Sequence, residues 1–343
     1  MLWWGRFDPA YSRNGVVRQH LAALGWTVSD FHPRFCAFGD LEALVRRLPK
    51  PDAVWVPCFR QRDLAAARRW CDRTGAPLLF DPLISAYDKQ VWERFKLQDG
   101  SPAARKLLAW ERGLFAKADL VLADTSCHAA FFEQTLGVPK AKLHIVNVGA
   151  DEALFRPAPD RGPGSPIDVL FYGSFIPLHG AQTIVEAARL YQGPPVRWSL
   201  LGDGPAKPAC QAAAAGLANV FFEDRIPYAT LPARIHRADL LLGVFGTTQK
   251  AGRVIPNKVF QALAAGRPVI TRSSDAYPDK ARLSDALGFV PPGSPEALAA
   301  AVAAWARQPE ALARRGHAAR TVYESCFSAD VIRGQLAQCL AAV

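Results

Sequence analysis

The sequence has no apolar run long enough to cross a membrane, since its longest runs, such as Leu240–Phe245, have the length of a strand. Its first residues meet Arg6 and Asp8 too early to form the apolar core of a signal peptide. The 7 cysteines are scattered, and no two of them form a Cys-x-x-Cys pair. We therefore expect a reduced, cytoplasmic protein whose cysteines are ordinary small residues.

The motifs of several common chemistries are also missing. There is no Gly-x-Gly-x-x-Gly after a strand, no phosphate loop ending in Gly-Lys-Ser or Gly-Lys-Thr, no Gly-x-Ser-x-Gly and no His-Glu-x-x-His. Because Asp-x-Asp is missing too, a carboxylate pair that would hold a metal on a diphosphate has no candidate. We therefore expect neither a metal nor a cofactor. A bound phosphate would be neutralised by the protein's own cations and helix ends.

What the sequence does contain is enough length for two domains and an excess of positive charge. Its 343 residues suit two α/β domains of similar size. Lys and Arg number 41 against 31 Asp and Glu, and the net charge of +10 favours anionic partners. Because the surplus is spread over both halves, we rank phosphorylated small molecules and anionic membrane surfaces above nucleic acid. A peripheral contact with anionic lipid would use scattered Arg and Trp, since no amphipathic basic helix stands out.

Short apolar runs alternate with helical patterns, which is typical of parallel sheets covered by helices on both faces. The predicted strands are Leu2–Gly5, Trp26–Phe31, Ala53–Pro57, Pro77–Asp81, Leu120–Ala123, Leu143–Val146, Ile167–Tyr172, Arg197–Leu201, Val220–Glu223, Leu240–Phe245 and Val269–Thr271. A Pro- and Gly-rich stretch predicts a linker or hinge at 157–166, between domains at 1–156 and 167–325. Two domains around a hinge imply a cleft between them. The predicted helices after residue 295 are Glu296–Arg307, Pro309–Glu324 and Ala329–Leu340.

One predicted helix of the second half breaks a local rule. Pro256 can open this helix and Gly266 can close it, while Val259 and Leu263 lie on an apolar stripe. Lys258 lies in the first turn, where a cation opposes the helix dipole unless the same helix end also holds an anion. We prefer a phosphate site at Lys258 to the alternative of a solvated lysine at a helix end.

Two loops of the second half suit the same task. The loop Gly173–Gly180 follows a predicted strand and precedes a helix, so its glycines permit close approach of the backbone. The helix start would present free N–H groups beside His179. The stretch Leu201–Pro205 is a weaker indication, because it is equally typical of a tight turn between a strand and a helix.

The first half carries its candidates in loops as well, since loops at the carboxyl ends of parallel strands line the ligand crevice. The loop after the first strand contains Tyr11 and Arg13 and ends in a predicted N-cap at Asn14. Asp81 follows another buried strand, and its carboxylate is either catalytic or acceptor-facing, or it caps the next segment. His128 is interpreted as a packed or surface histidine.

Together these stretches resemble the GT-B glycosyltransferases, in particular the large retaining family known as glycosyl transferases group 1, or family four. The resemblance covers nearly the whole chain and depends on the order and spacing of short stretches. These are Ala118–Asp124, Val148–Asp151, Leu154–Pro157, Phe171–Ser174, His179–Gly180, Leu201–Pro205, Ala238–Leu240 and Gly252–Ile270. The family implies two Rossmann-like domains with parallel sheets facing across a cleft, and a last helix, at 326–343, that packs back on the first domain. It also implies a nucleotide-sugar donor held mainly by the second domain, an acceptor held mainly by the first, and no required metal.

The chain departs from the commonest pattern of the family around the helix that contains Lys258. Many members have two glutamates there, and Arg253 and Gln261 take their places. Gln261 can still hydrogen-bond ribose hydroxyls, but Arg253 cannot replace a carboxylate that only accepts. The sugar contact must therefore differ, or come from main-chain N–H groups near Gly252. His179 and the neighbouring Phe175 stand where Lys and Arg often flank the diphosphate.

The resemblance assigns roles to the candidate residues. Lys258, two helix N-termini and His179 would balance the charge of the leaving diphosphate. Asp81 stands where the family commonly has a histidine, and with Lys258 and His179 it completes the catalytic candidates. The donor-binding candidates are Gly173, Ser174, His179, Gly202, Ile226, Gly252, Arg253, Pro256, Asn257, Lys258 and Gln261. The acceptor-side candidates are Tyr11, Arg13, Asn14 and Tyr87.

The implied function is that of a hexosyltransferase in cell-surface polysaccharide or glycolipid biosynthesis. It would move a sugar from a nucleotide-diphosphate sugar to a hydroxyl of a carbohydrate or lipid-linked acceptor. One alternative is epimerisation or hydrolysis of a nucleotide sugar by the same fold. Another is a non-catalytic partner subunit that binds a nucleotide sugar, which the missing glutamates suggest. The expected location is the cytoplasm, with peripheral contact to a membrane.

Overall fold

The computed structural model describes residues 1–9, 11–158, 162 and 164–343. Its contacts divide the chain into two units, Met1–Val148 with Ala329–Val343, and Gly149–Ser328. The division at Gly149 falls before the predicted linker at 157–166, and that linker lies partly outside the described residues.

The first unit is built on one parallel sheet. Its strands are β1 Leu2–Trp4, β2 Ser29–Phe31, β3 Val54–Val56, β4 Leu78–Phe80, β5 Leu120–Ala123 and β6 Leu143–Ile145, in the order β2-β1-β3-β4-β5-β6. Its helices are α1 Ser12–Ala23, α2 Gly39–Val45, α3 Leu64–Thr74, α4 Pro102–Phe115 and α5 Ser126–Gln134. The central strands β1, β3, β4 and β5 are buried along their whole length, because helices cover both faces.

The second unit repeats this architecture. Its strands are β7 Ile167–Gly173, β8 Val196–Gly202, β9 Val220–Glu223, β10 Leu240–Leu242, β11 Val269–Arg272 and β12 Leu287–Val290, in the order β12-β11-β10-β7-β8-β9. Its helices are α6 Ala181–Leu190, α7 Lys207–Ala213, α8 Leu231–Arg237, α9 Asn257–Ala264, α10 Asp279–Arg282, α11 Pro295–Ala306 and α12 Pro309–Cys326. The six strands are all parallel, so both units are Rossmann-like.

Short helical turns complete both units. They are the 3₁₀ helices Cys36–Phe38, Gln61–Asp63, Lys140–Lys142, Pro177–His179, Tyr228–Thr230 and Lys250–Gly252, and the π-helix Asp88–Glu93.

The last helix, α13 Ala329–Leu340, belongs to the first unit although the whole second unit precedes it in the chain. Its apolar side chains Ile332 and Leu336 pack in one buried cluster with Trp3, Val17 and Leu21. The expected return of the last helix to the first domain is therefore confirmed. In the described part of the chain, no helix combines the length and the apolar character that a membrane crossing requires.

In each sheet, the strand order reverses direction at one strand, so that later strands are added on the other side of it. In the first unit, β2 lies on one side of β1 and β3 on the other, and in the second unit, β8 and β10 flank β7 in the same way. The connections that leave such a pair of neighbours run to opposite faces of the sheet, so a crevice opens at the carboxyl ends of the strands. The fold thus predicts a ligand-binding position after β1 and β3 and another after β7 and β10.

Three sequence predictions of the elements need correction. Strand β12 was not predicted from the sequence. Its second residue, Gly288, packs closely on Trp305, because a Cβ there would lie 3.0 Å from the Trp305 ring. Strand β10 ends at Leu242 instead of Phe245, because the Thr271 hydroxyl accepts from the N–H of Val244 in place of the strand ladder. Helix α1 begins at Ser12, so the predicted N-cap, Asn14, lies in its first turn.

Candidate functional site

Two strands that end in glycine form the floor of a pocket in the second unit. Gly173 ends β7, Gly202 ends β8, and the two residues are paired in register. A Cβ on Gly202 would overlap the carbonyl oxygen of Gly173, and a Cβ on Gly204 would overlap that of Ser174. Only residues without a side chain fit where these backbones approach. The uncovered backbone lines a pocket of about 510 Å³.

This pocket collects several of the predicted donor-binding residues. It is lined by Tyr172, Gly173, Ser174, Ile176, Leu201, Gly202, Asp203, Gly204, Pro205, Arg225, Ile226, Tyr228 and Leu231. Gly173, Ser174, Gly202 and Ile226 were candidates from the sequence, and the structure brings these four together around one cavity.

The side chain of Lys258, in the first turn of α9, packs against Gly173, one of the residues that line this pocket. Its Nζ atom lies 2.9 Å from the position that a Cβ of Gly173 would take, and 3.9 Å from the centre of the Phe171 ring. The Nζ atom is buried and has no hydrogen-bond partner among the described residues. Burial lowers the pKa of this lysine well below its ordinary value. A desolvated cation of this kind is suited to an anionic ligand.

His179 lies beside the lysine, in the short helix that leads into α6. Its Nδ1 atom is also 2.9 Å from the position of a Cβ on Gly173, and it has no hydrogen-bond partner within the described residues. Burial, and secondly the charge of Lys258, lower the pKa of His179 to about 2. The imidazole is therefore neutral near pH 7. Two polar atoms that have no hydrogen-bond partner within the described residues thus pack against Gly173 at the carboxyl end of β7.

One turn further along α9, the Gln261 amide connects two tyrosines of the pocket wall. Its Oε1 accepts from the Tyr172 hydroxyl at 2.8 Å, and its Nε2 donates to the Tyr228 hydroxyl at 3.2 Å. The Tyr172 hydroxyl also reaches the carbonyl oxygen of Lys258 at 3.2 Å. Gln261 therefore positions the wall of the pocket and fixes it to the helix that carries the lysine.

None of the candidates on or beside α9 lines the pocket itself, although Lys258 and Gln261 contact residues that do. Pro256 precedes α9 in an extended conformation, and Asn257 is its first residue. Gly252 ends a short 3₁₀ helix, and its carbonyl oxygen accepts from the Ser274 hydroxyl at 2.7 Å. The guanidinium of Arg253 donates to the Gln249 side chain at 2.7 Å. Arg253 is thus held beside the preceding segment.

In the first unit, Arg13 and Asp81 form a buried ion pair at the carboxyl edge of the sheet. The Nε and Nη2 atoms of Arg13 donate to the two carboxylate oxygens of Asp81 at 2.8 and 3.3 Å. Its Nη1 atom donates to the carbonyl oxygens of Val146 and Asn147 at 2.8 and 2.6 Å. Asp81 was predicted as a catalytic or acceptor-facing carboxylate, or as a cap. The structure shows its carboxylate bound to Arg13, which joins three segments of the chain, at α1, after β4 and after β6.

Further polar side chains surround this pair. Tyr11 packs edge-to-face on Phe59, and burial raises the pKa of its hydroxyl. His128 is fully buried, as the interpretation of a packed histidine allows, and its Nδ1 atom lies 2.6 Å from the Asp124 carboxylate. The charges of Asp81 and Asp124 both act on Tyr11, so these groups share one region.

The remaining acceptor-side candidates have structural contacts. The Asn14 side chain donates to the carbonyl oxygen of Asp8 at 2.8 Å, which ties the loop after β1 to α1. The Tyr87 hydroxyl donates to Asp99 at 2.7 Å, and the Tyr87 ring packs against Trp92. Burial and the Asp99 carboxylate raise the pKa of Tyr87 to about 12. Tyr87 thus lies in the hydrophobic core of the first unit.

Sequence reasoning missed Tyr172 and Tyr228 in the pocket and the Asp124–His128 pair. Tyr172 could have been found, since it directly precedes the glycine at the end of β7. Asp124 has the same position after β5 as Asp81 has after β4, and His128 follows it at the spacing of one helical turn. Tyr228 carries no sequence signal, because only the fold brings its loop to Gln261.

Two family models match the sequence, one in each unit. Residues 4–149 match the glycosyl transferase 4-like domain, and residues 166–308 match the glycosyl transferases group 1.

Curated relatives are similar over most of this chain. A putative colanic acid biosynthesis glycosyltransferase of Escherichia coli is 27% identical over 241 residues, which cover 67% of this chain and 58% of that protein. A D-inositol 3-phosphate glycosyltransferase of Segniliparus rotundus is 28% identical over 264 residues, which cover 72% and 57%. The chain therefore spans less than two thirds of the length of these curated relatives.

Solved structures match the whole chain. Sucrose-phosphate synthase from Thermosynechococcus elongatus has a TM-score of 0.77 at 19% identity, covering 99% of this chain and 97% of that one. HepE of Anabaena in complex with UDP has a TM-score of 0.72 at 16% identity, covering 100% and 99%. At such identities the likeness concerns the fold. Since both halves also match family models in sequence, the chain belongs to the group 1 glycosyltransferases and has their GT-B fold.

Proposed function

We propose that the protein transfers a hexose from a nucleotide-diphosphate sugar to a hydroxyl of a carbohydrate or lipid-linked acceptor. The observation that carries this proposal is the Lys258 ammonium, which is buried without a hydrogen-bond partner among the described residues and packs with neutral His179 against Gly173 of the pocket lining. The relative named for colanic acid biosynthesis supports a role in making cell-surface polysaccharide or glycolipid. We place this activity in the cytoplasm.

In this proposal the diphosphate of the donor lies in the pocket beside Gly173, next to the Lys258 and His179 side chains that pack against this glycine. Lys258 supplies the charge, His179 supplies a neutral hydrogen-bonding group, and the first N–H groups of α6 and α9 complete the anion site. The nucleoside extends along the pocket past Gln261, towards Ile226. Solved HepE structures with UDP and with UDP-glucose support the choice of donor.

The chemical role of Lys258 follows from its burial. As the bond to the sugar breaks, negative charge grows on the diphosphate, and a desolvated ammonium stabilises that charge more than water would. A hydrogen bond to a charged group contributes about 1.5–3 kcal/mol before any transition-state effect. With this cation and two helix ends in place, we propose that transfer needs no metal. We also propose that it retains the configuration of the sugar.

On the acceptor side, we propose that Arg13 and Asp81 act through position. Their ion pair holds the loop after β1 to the end of β4, and this loop carries Tyr11. The acceptor then contacts the loop, and Asn14 keeps the loop against α1.

The test is turnover of a panel of nucleotide sugars by the whole protein in EDTA, with and without sugar and lipid-linked acceptors. We expect a glycosylated acceptor whose new bond, measured by NMR, has the anomeric configuration of the donor. Free sugar or an epimer formed without acceptor would replace this function by hydrolysis or epimerisation. Donor binding without turnover across the panel would indicate a non-catalytic subunit. Activity that EDTA abolishes and Mg²⁺ restores would contradict metal independence.

A further inference from the structure

The segment 34–47 follows β2 in the first unit and is firmly anchored on one side. It contains the 3₁₀ helix Cys36–Phe38 and α2. A Cβ on Gly39 would lie 2.9 Å from the Trp4 ring, so the turn between these helices packs directly on the core. Ala43 is fully buried, and Asp40 is buried with both carboxylate oxygens bound by Arg69 and Arg73. The position of the segment is therefore fixed by the fold.

The opposite side of segment 34–47 is apolar and open to solvent. Phe35 is 70% exposed, Phe38 62% and Val45 81%, and Leu41 and Leu44 are exposed as well. Leu41, Leu44 and Val45 have the spacing i, i+3 and i+4, so they share one face of α2. Most other exposed large apolar residues in the described chain are scattered singly, which is ordinary for a protein surface. A cluster of this kind marks an interaction surface.

The surroundings of this apolar face are positively charged. Arg34, Arg46, Arg47 and Lys50 are exposed in or next to the segment. Glu42 is paired with Arg46 and accepts from the N–H of Arg34, and Asp40 is bound by Arg69 and Arg73. Arg34, Arg47 and Lys50 therefore remain as surplus positive charge. Aromatic and aliphatic side chains rimmed by arginines match a surface with acyl chains below and phosphate groups above.

We propose that segment 34–47 docks the protein on an anionic lipid bilayer. Phe35, Phe38 and Val45 enter the boundary between headgroups and acyl chains, and Arg34, Arg47 and Lys50 contact lipid phosphates. The segment is too short to be read as an amphipathic helix from the sequence, and it becomes one surface because a 3₁₀ helix and α2 meet at Gly39. This surface is separate from the pocket at Gly173, so the proposal stands whether or not the proposed transferase reaction is correct.

The test measures the partition of the whole protein onto vesicles of phosphatidylcholine with and without phosphatidylglycerol, by flotation. We expect binding only to vesicles that contain phosphatidylglycerol. Phe35→Ser with Phe38→Ser should lower the partition coefficient roughly tenfold or more, because two large apolar side chains no longer leave water. Arg47→Asn with Lys50→Gln should weaken binding to anionic vesicles and reduce its salt dependence. Asn is chosen because Arg47 has a φ of 52°, which Asn tolerates.

Matched controls keep this test specific. Phe95→Ser with Leu283→Ser removes exposed apolar side chains elsewhere, and Lys106→Gln with Arg314→Gln removes exposed cations elsewhere. Both controls should bind like the wild type, and all variants should melt at the wild-type temperature. Equal binding to neutral and anionic vesicles, or unchanged binding of the Phe35 and Phe38 variant, would overturn the proposal. So would self-association in solution that the same variant abolishes, since a second copy would then cover this face.

Discussion

Each unit of this protein buries a cation at the carboxyl edge of its sheet, where the loops after two neighbouring strands diverge. In the first unit it is Arg13, which is 0% exposed and bound to Asp81 and to two carbonyl oxygens. In the second unit it is Lys258, which is 6% exposed and has no hydrogen-bond partner among the described residues. Burying a charge is costly unless it is paired. Both units therefore bear the free-energy cost of burying a charge. They differ in whether a hydrogen-bonded counter-charge within the free protein offsets that cost.

Under the proposed function, this difference distinguishes a structural cation from one that binds a ligand. Arg13 has its counter-charge, Asp81, within its own unit, and the ion pair fixes the start of α1. Lys258 has no hydrogen-bonding counter-charge among the described residues, and in our proposal the donor diphosphate supplies it. Binding of the diphosphate would then offset the cost of burying the second cation, as Asp81 offsets that of the first.

The largest expected effect tests the first half of this contrast. Asp81→Asn leaves the guanidinium of Arg13 buried without a counter-charge, so the free energy of unfolding of the first unit should fall by about 3–5 kcal/mol. Urea unfolding followed by fluorescence of the buried Trp3 and Trp55 measures this loss. As a control, Asp30→Asn removes the partly exposed partner of Arg18 and should cost less than about 1 kcal/mol.

The opposite result for Asp81 would be equally informative. If Asp81→Asn left the unfolding free energy unchanged and abolished transfer to the acceptor, the carboxylate would act on the acceptor directly. The ion pair between Arg13 and Asp81 would then belong to the protein without acceptor, and the contrast between the two units would fail.

The second prediction concerns Lys258. Lys258→Met should weaken the binding of UDP by about 1.5–3 kcal/mol, or roughly 10- to 150-fold, because it removes a charged hydrogen bond in a desolvated site. The same change should leave the stability of the free protein equal or higher, because it removes a buried charge that lacks a hydrogen bond. Isothermal titration calorimetry gives the affinity, and urea unfolding gives the stability.

A surface lysine of the same unit supplies the control for Lys258. Lys280→Met should change neither quantity, since Lys280 is exposed. A loss of stability in Lys258→Met without a change in UDP affinity would show that Lys258 is structural, as Arg13 is, and would place the anion site elsewhere.

The residues on both sides of this comparison could be singled out from the sequence, but the difference between their partners could not. Lys258 was singled out because a cation in the first turn of a helix breaks a local rule, and Gly173 because a glycine after a strand permits close approach. Those are local signals. The pairing of Arg13 with Asp81 joins residues that are far apart in sequence, and no local rule announces it.

The same limit explains the other misses. The Tyr172–Gln261–Tyr228 contacts join three separate elements. From the sequence, Gln261 could therefore be interpreted only as a replacement for a glutamate of the family, and its contacts with the pocket wall could not be predicted. Segment 34–47 has apolar residues at spacings that suit burial as well as exposure, and only the fold shows that Phe35 and Phe38 point outward. Patterns along the chain therefore predicted strands and glycine turns, while partners across the fold needed coordinates.

The smallest expected effect is a pH dependence that only the second cation should show. Burial holds the pKa of Lys258 in the free protein well below the 10.5 of an unfolded chain, so between these two values unfolding takes up a proton. The contribution of Lys258 to the stability of the free protein should therefore rise with pH in that window. The difference in stability between the wild type and Lys258→Met isolates this contribution, because buried cysteines such as Cys71, whose pKa burial raises to about 12, add the opposite slope to both proteins. A bound diphosphate favours the charged lysine, so binding there must also take up a proton, and UDP affinity should fall with pH by up to about tenfold per unit.

Calorimetry between about pH 7.5 and 10, where the diphosphate is fully ionised, measures the proton uptake in buffers of different ionisation enthalpy. His179 is already neutral in this range, and Arg13 stays protonated, so neither contributes a slope. The fall of UDP affinity with pH should vanish in Lys258→Met, and its persistence there would assign the titration to another group.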